Sequence, residues 1–466
     1  MQPFEPWWRG SRTRKIHTEE EIDLRKLLII SILIVGMCLG LAQNEIKVTY
    51  LASGIKVQTR FAEYEFDRNG NLANVYLTAE RRLHVFEREN DGFDILTEDG
   101  TSLNIVAEAQ LFGEQVATSS YRGDLTLSYD YGDVKKAYVF RNAPEYLIEV
   151  QLETKSPVMV SLPRVWFADN DRVIKDYFLS FAPKTRTLSL VKTNSQKIVS
   201  NTVKVGTNST LIFHLSPYKR VFLKKLFPVD HEELVSTLKT VPGSSAWYDP
   251  IFYPLVWFFW WLFQLTKNFG WAIILFTIVV RFALYPLYHA QTKSMIKMRK
   301  LQPKIEMIRK KYKDPTKQQE ELLKAYREEG VNPASGCLML FVQLPIFFLL
   351  YAVIRYFQEE FAFNGRFLIW PDLSKGGFSA NAVFVLITIV ASYYNTLITS
   401  QDTRSAWQGI LMSVAFTFLF VGLPSGLFLY FTTNTVIQSL VTYYIYKRYK
   451  IKGITTRELL GLRPKG

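Results

Sequence analysis

Apolar residues run almost unbroken over 27–42, 270–288, 336–356, 381–399, 409–423 and 424–446. A helix needs about 20 such residues to cross the hydrocarbon of a bilayer, so the pattern predicts six spans, one early and five late. Between the first run and the second the pattern changes. Segments 47–50, 125–129, 137–140 and 146–150 alternate apolar and polar residues, the signature of strands with one face in a core and the other in solvent. Turn-forming clusters separate them, and Asn69-Gly70 within 67–71 predicts a type I′ hairpin. An all-β sandwich is expected over 43–245, ending in helical stretches at 217–227 and 231–239 that lead the chain back to the membrane. The expected fold class is an α-helical polytopic membrane protein, with five spans forming its core and an inserted all-β domain.

Charge orients these pieces, because Lys and Arg of short loops are retained on the cytoplasmic side. Arg9, Arg12, Arg14, Lys15, Arg25 and Lys26 precede the first run, and the tail 449–466 is basic. Both termini are therefore expected inside and the sandwich outside. The first run ends in Gly40-Leu41-Ala42, which resembles a signal-peptidase site. Within 1–42 an uncleaved anchor is preferred, and a cleaved signal peptide remains the alternative.

Segment 251–265, inside 246–290, is crowded with rings such as Phe252, Tyr253, Trp257, Trp260 and Trp261. Amphipathic rings favour the headgroup level, so an interfacial helix is expected ahead of the second span. Loop 291–333 carries a dozen basic residues, Lys293 to Arg327, and predicts a cytoplasmic helical hairpin. Its first arm runs to Tyr312, its turn is Asp314-Pro315, and its second arm ends at Gly330. Met295, Met298, Leu301, Ile305 and Ile308 recur at three and four residues, a stripe for Leu322, Leu323 and Tyr326. Spans three to six fill 334–448, and the outer loop 358–380 holds Arg366 and Lys375 against Glu359, Glu360 and Asp372.

Composition agrees with a membrane bundle and an exported domain in series: 466 residues, 48% hydrophobic, net charge +14. Cys38 and Cys337 both fall in apolar runs, so the sandwich is expected to fold without a disulfide. The five histidines have no ligand spacing and no phosphate-cradling glycine motif occurs, so neither a metal nor a cofactor is expected. Catalysis finds little support either, since no predicted span from 270 onward holds a histidine for a serine or a carboxylate for proton coupling.

Arg281 is the exception to the apolar pattern. Guanidinium cannot shed its proton, and placing it at a bilayer centre costs about 2.5–3.5 kcal/mol on insertion scales. No Asp or Glu lies in the apolar runs from 270 onward to neutralise it. Thr277, Arg281 and Tyr285 are four apart and share a helical face, predicting a polar stripe. Gln343, Ser392, Asn395, Thr396, Ser413, Thr417, Thr432, Thr433, Asn434 and Gln438 add further polar groups. Singly, each is more often interhelical glue. Together, around an unpaired cation, they favour a wet concavity and a visiting anion.

Several motifs then resemble one family. Ile278 to Pro286 with its Arg-x3-Tyr-Pro, Leu301-Gln302-Pro303-Lys304-Ile305, Val331-Asn332-Pro333, Gln343-Leu344-Pro345-Ile346-Phe347 and Leu423-Pro424-Ser425-Gly426-Leu427 are similar to the YidC/Oxa1/Alb3 membrane protein insertases. The exported domain resembles the β-supersandwich of didermal members. The resemblance implies an insertase and chaperone, not an enzyme, of the bacterial inner membrane, with a periplasmic β-domain. It implies a groove open to cytoplasm and lipid, with Arg281 at its floor and Thr277 and Gln343 on its walls. Phe347, Met412 and Phe416 would lie along the client helix, with Tyr430 and Asn434 of the last span close by. Implied partners are nascent membrane proteins and the phospholipid membrane, with the Sec translocon and the ribosome as further candidates, and no specific nucleic-acid recognition. In the sixth span the motif Tyr430-Phe431-Thr432-Thr433-Asn434 keeps one tyrosine where many relatives have two. A small-solute or lipid transporter, or a scramblase, using the same groove is the alternative.

Overall fold

The computed structural model describes residues 45–461 apart from 80, 98–99, 104, 169–170, 195–196, 329–334 and 401, without the side chains of 291, 294–295, 298, 302 and 335–343. The run 27–42 lies outside the described residues. Alternating residues such as Ile46 and Val48, Tyr64 and Phe66, and Ile148, Val150 and Leu152 point into one core. They lie on a thirteen-stranded antiparallel sheet. A four-stranded sheet, ordered Ile198–Val199, Thr202–Val205, Val158–Ser161, Ile95–Leu96, packs onto it through Val160, Val203 and Val205. The sandwich is thus two sheets of very unequal width.

Strands Tyr177–Ala182 and Thr187–Lys192 depart from alternation and are buried almost throughout. Their second face is covered by helices α1 (Arg220–Leu226) and α2 (His231–Lys239), through Leu223, Phe227, Leu234 and Leu238. The expected type I′ hairpin is corrected. Gly70 has φ 69° but Asn69 is not in the left-handed region, so the two-residue turn with both positions left-handed cannot form. Instead Gly70 N donates to Asp67 O at 3.1 Å, and Asp67 Oδ1 accepts from the amides of Asn69 and Asn71 at 2.9 and 2.8 Å. The aspartate side chain pulls the loop into a wider, bulged turn.

Helix α3 (Asp249–Thr266) carries the dense aromatic rings and ends at Lys267, φ 52°. Asn268 caps α4 (Phe269–Ala283), its Oδ1 accepting from Gly270 N at 2.9 Å. The second predicted span does not run straight to 288. It breaks at Leu284 and resumes as α5 (Tyr285–Lys311), because Pro286 has no N–H with which to continue the ladder. Helix α6 (Pro315–Glu328) returns along α5, and Lys304 pairs with Glu328 at 3.0 Å. Leu301 and Ile305 of the predicted stripe are buried, whereas Leu323 is largely exposed. Ile296 packs against Ile445 and Tyr446 instead.

Helices α7 (Ser335–Arg355), α8 (Gln358–Asn364), α9 (Phe378–Thr399), α10 (Thr403–Leu419) and α11 (Ser425–Arg448) follow. Among the described residues α9 is the one helix long and apolar enough to cross a membrane on those grounds alone, and α4 and 344–355 are shorter apolar stretches. Helix α10 begins ahead of its apolar run because Asp402 and Ser405 form a reciprocal cap. Beyond α11 the chain folds back. Gly453 lies against Leu397 O, Ile454 N donates to that carbonyl at 2.9 Å, and α12 (Thr456–Leu459) buries Leu459 beside Leu397 and Ala406.

The β-domain is joined to the outer loop between α7 and α9 by buried ion pairs. Glu359, Glu360 and Asp372 are 2%, 0% and 3% exposed. Lys219 pairs with Glu359, Lys225 with Glu360, and Arg60 with Asp372 at 3.0 Å. Tyr146 also donates to Glu359 at 3.1 Å. The carboxylates of that loop are thus the partners of domain cations.

Candidate functional site

Thr277 and Arg281 lie one turn apart on α4 and are both buried, at 1% and 8% exposure. They differ in what they need. Thr277 donates to Ile273 O of its own helix at 2.7 Å and is self-satisfied. Arg281 turns to the last long helix, where Asn434 and Gln438 are four residues apart and share a face. Its Nε donates to Asn434 Oδ1 at 2.7 Å, its Nη1 to Gln438 Oε1 at 2.6 Å, and its Nη2 to Asn434 O at 3.3 Å. The Tyr288 ring lies 4.4 Å from the guanidinium carbon.

None of these partners carries charge. A hydrogen bond to an ionised group contributes about 1.5–3 kcal/mol, so three of them and a ring face offset much of the desolvation of the cation. They leave its positive charge in place. The arrangement can therefore hold an anion, and it can do so without first breaking an ion pair.

Tyr285 is half-buried and packs toward His289, 5.9 Å between ring centres. The break at Leu284 takes it out of the stripe expected with Thr277 and Arg281 and brings Tyr288 to the guanidinium instead. Tyr288 was not legible as a site residue, although Pro286 two positions earlier is the signal that the helix would not continue straight. Gln438 was visible only as one polar group among many.

Tyr430 lies one turn before Asn434 on the same face, 1% exposed, and its hydroxyl has no partner among the described atoms. Its ring stacks on Phe347 at 5.8 Å. Phe347 in turn meets Phe420 and Phe431, and Phe416 lies 4.6 Å from Phe420. Met412 and Phe416 are 70% and 41% exposed. The predicted residues thus separate into a buried polar group around Arg281 and an outward apolar face, joined through the Phe347–Tyr430 stack. Gln343 has its side chain outside the described residues. Of the other predicted polar groups, Thr432 joins helices by its bond to Thr388 at 2.9 Å. Ser439, donating to Ala391 O at 3.0 Å, and Asn381, donating to Val421 O and Leu423 O, do the same without having been singled out in the sequence.

A protein of Thermotoga maritima described as membrane protein insertase YidC is 57% identical over 95% of this chain and 99% of its own length. The chain belongs to the YidC membrane protein insertase family. The YidC insertase of Aquifex aeolicus is 39% identical over 41% of this chain and 38% of its own length. The family model described as 60Kd inner membrane protein matches residues 261–452, a stretch that contains Arg281, Asn434 and Gln438. A crystal structure of an active YidC insertase with its first transmembrane domain resolved is 56% identical and covers 90% of this chain and 99% of its own, with a TM-score of 0.75. That of Thermotoga maritima YidC is 44% identical, covers 85% and 99%, and has a TM-score of 0.65.

Proposed function

We propose that the protein inserts transmembrane helices of nascent membrane proteins, using Arg281 as the receptor for the polar tail that must cross ahead of the helix. In this reading α4, α7, α9, α10 and α11 are five spans of a bacterial inner membrane protein, a sixth lies at 27–42, both termini are cytoplasmic and the β-domain is periplasmic. A client's acidic tail enters from the cytoplasm and is held by the guanidinium. Its apolar helix lies along Phe347, Met412 and Phe416 and leaves sideways into lipid. Partition of each Leu or Ile into the bilayer is favourable by about 0.3–0.6 kcal/mol, so the exit requires no nucleotide.

The observation that carries this reading is a buried arginine whose hydrogen bonds are met by neutral oxygens and whose charge is not cancelled. The family supplies the client class and the exposed aromatic face of α10 supplies the exit. In proteoliposomes, Arg281→Ala is expected to lose insertion of clients with acidic tails, while Arg281→Lys retains a larger share. Equal insertion by Ala, Lys and wild type would remove the arginine from the mechanism and leave the exit face standing.

A further inference from the structure

Arg281 reaches Asn434 and Gln438 through their amide oxygens, although Asp and Glu differ from these residues by one group and would pair with the cation more strongly. The amides are also aimed. Gln438 Nε2 donates to Thr442 Oγ1 at 3.3 Å, and Thr442 is buried, which turns the Oε1 of the same amide toward the guanidinium. Asn434 contributes twice, by a side chain that can rotate and by a main-chain oxygen that cannot. One turn earlier, the buried Tyr430 hydroxyl has no partner among the described atoms.

From this geometry we infer that Asn434 and Gln438 are neutral placeholders for a client carboxylate and so set the preference for acidic tails. The amide oxygens satisfy the guanidinium while the site is empty. A carboxylate replaces them because it offers the same oxygen geometry with a full charge, and the amides swing back when it leaves. Throughout the exchange Asn434 O keeps the arginine on α11. The unpartnered Tyr430 hydroxyl, on the same face, is a donor for the incoming oxygen that the resting amides do not use. A carboxylate built in at either position would be a permanent counter-ion, and the site would be occupied before any client arrived. Asn434 and Gln438 are thus positioning residues acting through Arg281, and the inference rests on the reading of Arg281 given above.

The test uses the full chain in proteoliposomes with two single-span clients, one with an aspartate in its translocated tail and one with asparagine there. The readout is the ratio of their insertion, which a general folding defect does not move. Gln438→Glu is expected to lower the ratio by about tenfold, the difference between a charge-assisted and a neutral hydrogen bond. Gln438→Leu, which removes an acceptor without adding charge, is expected to keep the ratio at or above the wild-type value. An unchanged ratio in Gln438→Glu together with a lowered one in Arg281→Ala would overturn the placeholder role and spare the arginine. An unchanged ratio in Arg281→Ala would overturn both. If Gln438→Glu inserts neither client, Gln438→Leu decides, and a ratio below wild type there overturns the inference.

Discussion

His214 and Arg281 are both buried polar side chains, yet their burial has opposite consequences for charge. His214 lies in the β-domain with Nδ1 2.6 Å from Glu145 O and Nε2 2.8 Å from Ser216 Oγ. A carbonyl only accepts, so Nδ1 carries the proton and Nε2 faces the Ser216 hydroxyl, whose single proton it shares with Pro217 O at 2.9 Å. Burial holds the ring's pKa down to about 4 from 6.5. Between those values the unfolded chain binds a proton that the folded domain does not, so stability is present above about pH 6.5 and is lost as pH falls toward 4. The loss amounts to roughly 3 kcal/mol when complete. Thermal unfolding of the β-domain is expected to drop over this window and to flatten in His214→Gln. Arg281 has no such recourse and must be held charged. The sequence pointed to its need for polar company and to the face it shares with Thr277, but not to Tyr288, because a proline break reorients every side chain after it. The orientation of two amides on a helix far along the chain is likewise a matter of packing that no local pattern records.

Among the elements, the strands were legible because each repeats a period of two against one core, and α9 because its apolar run is long and unbroken. Strands Tyr177–Ala182 and Thr187–Lys192 were harder, since helices cover their second face and erase the alternation. The seam between β-domain and outer loop was not legible at all, because Lys219 and Lys225 meet Glu359 and Glu360 only through the fold. Removing one partner of a buried pair costs about 3–5 kcal/mol. Lys225→Met is therefore expected to lower the unfolding temperature and to open the 356–375 loop to protease, while adding both Glu360→Gln and Glu145→Gln, the two carboxylates that Lys225 pairs with, recovers much of the loss. On the other side of the bundle, Arg299 donates to Ile398 O, Ser400 O and Lys452 O at 3.1, 3.0 and 2.6 Å. It ties the hairpin, the end of α9 and the folded-back tail at one point. Arg299→Ala is expected to speed amide hydrogen exchange in 451–455 by about tenfold or more, with no change in the β-domain. Exchange unchanged in 451–455 would show that the tail is held without Arg299, by Ile454 N on Leu397 O and the packing of Gly453 and Leu459.

For the molecule as a whole, the division of labour runs from a braced β-domain, through a buried cation, to an apolar face left uncovered. Phe282, Leu411, Met412 and Leu419 are 75%, 71%, 70% and 74% exposed, which soluble surfaces rarely sustain together and which lipid or a client helix would cover. A transporter must close its pathway to lipid, whereas an insertase must leave one wall open, and that difference is the central claim. It is tested most directly by photocrosslinkers placed singly at Met412, Phe416 and Val383 in the full chain during insertion of a stalled single-span client. Val383 is half-buried against the helical core and serves as the reference. The account predicts adducts to the client's transmembrane helix from Met412 and Phe416 and few from Val383. Equal yields at all three, or adducts from Val383 alone, would contradict it.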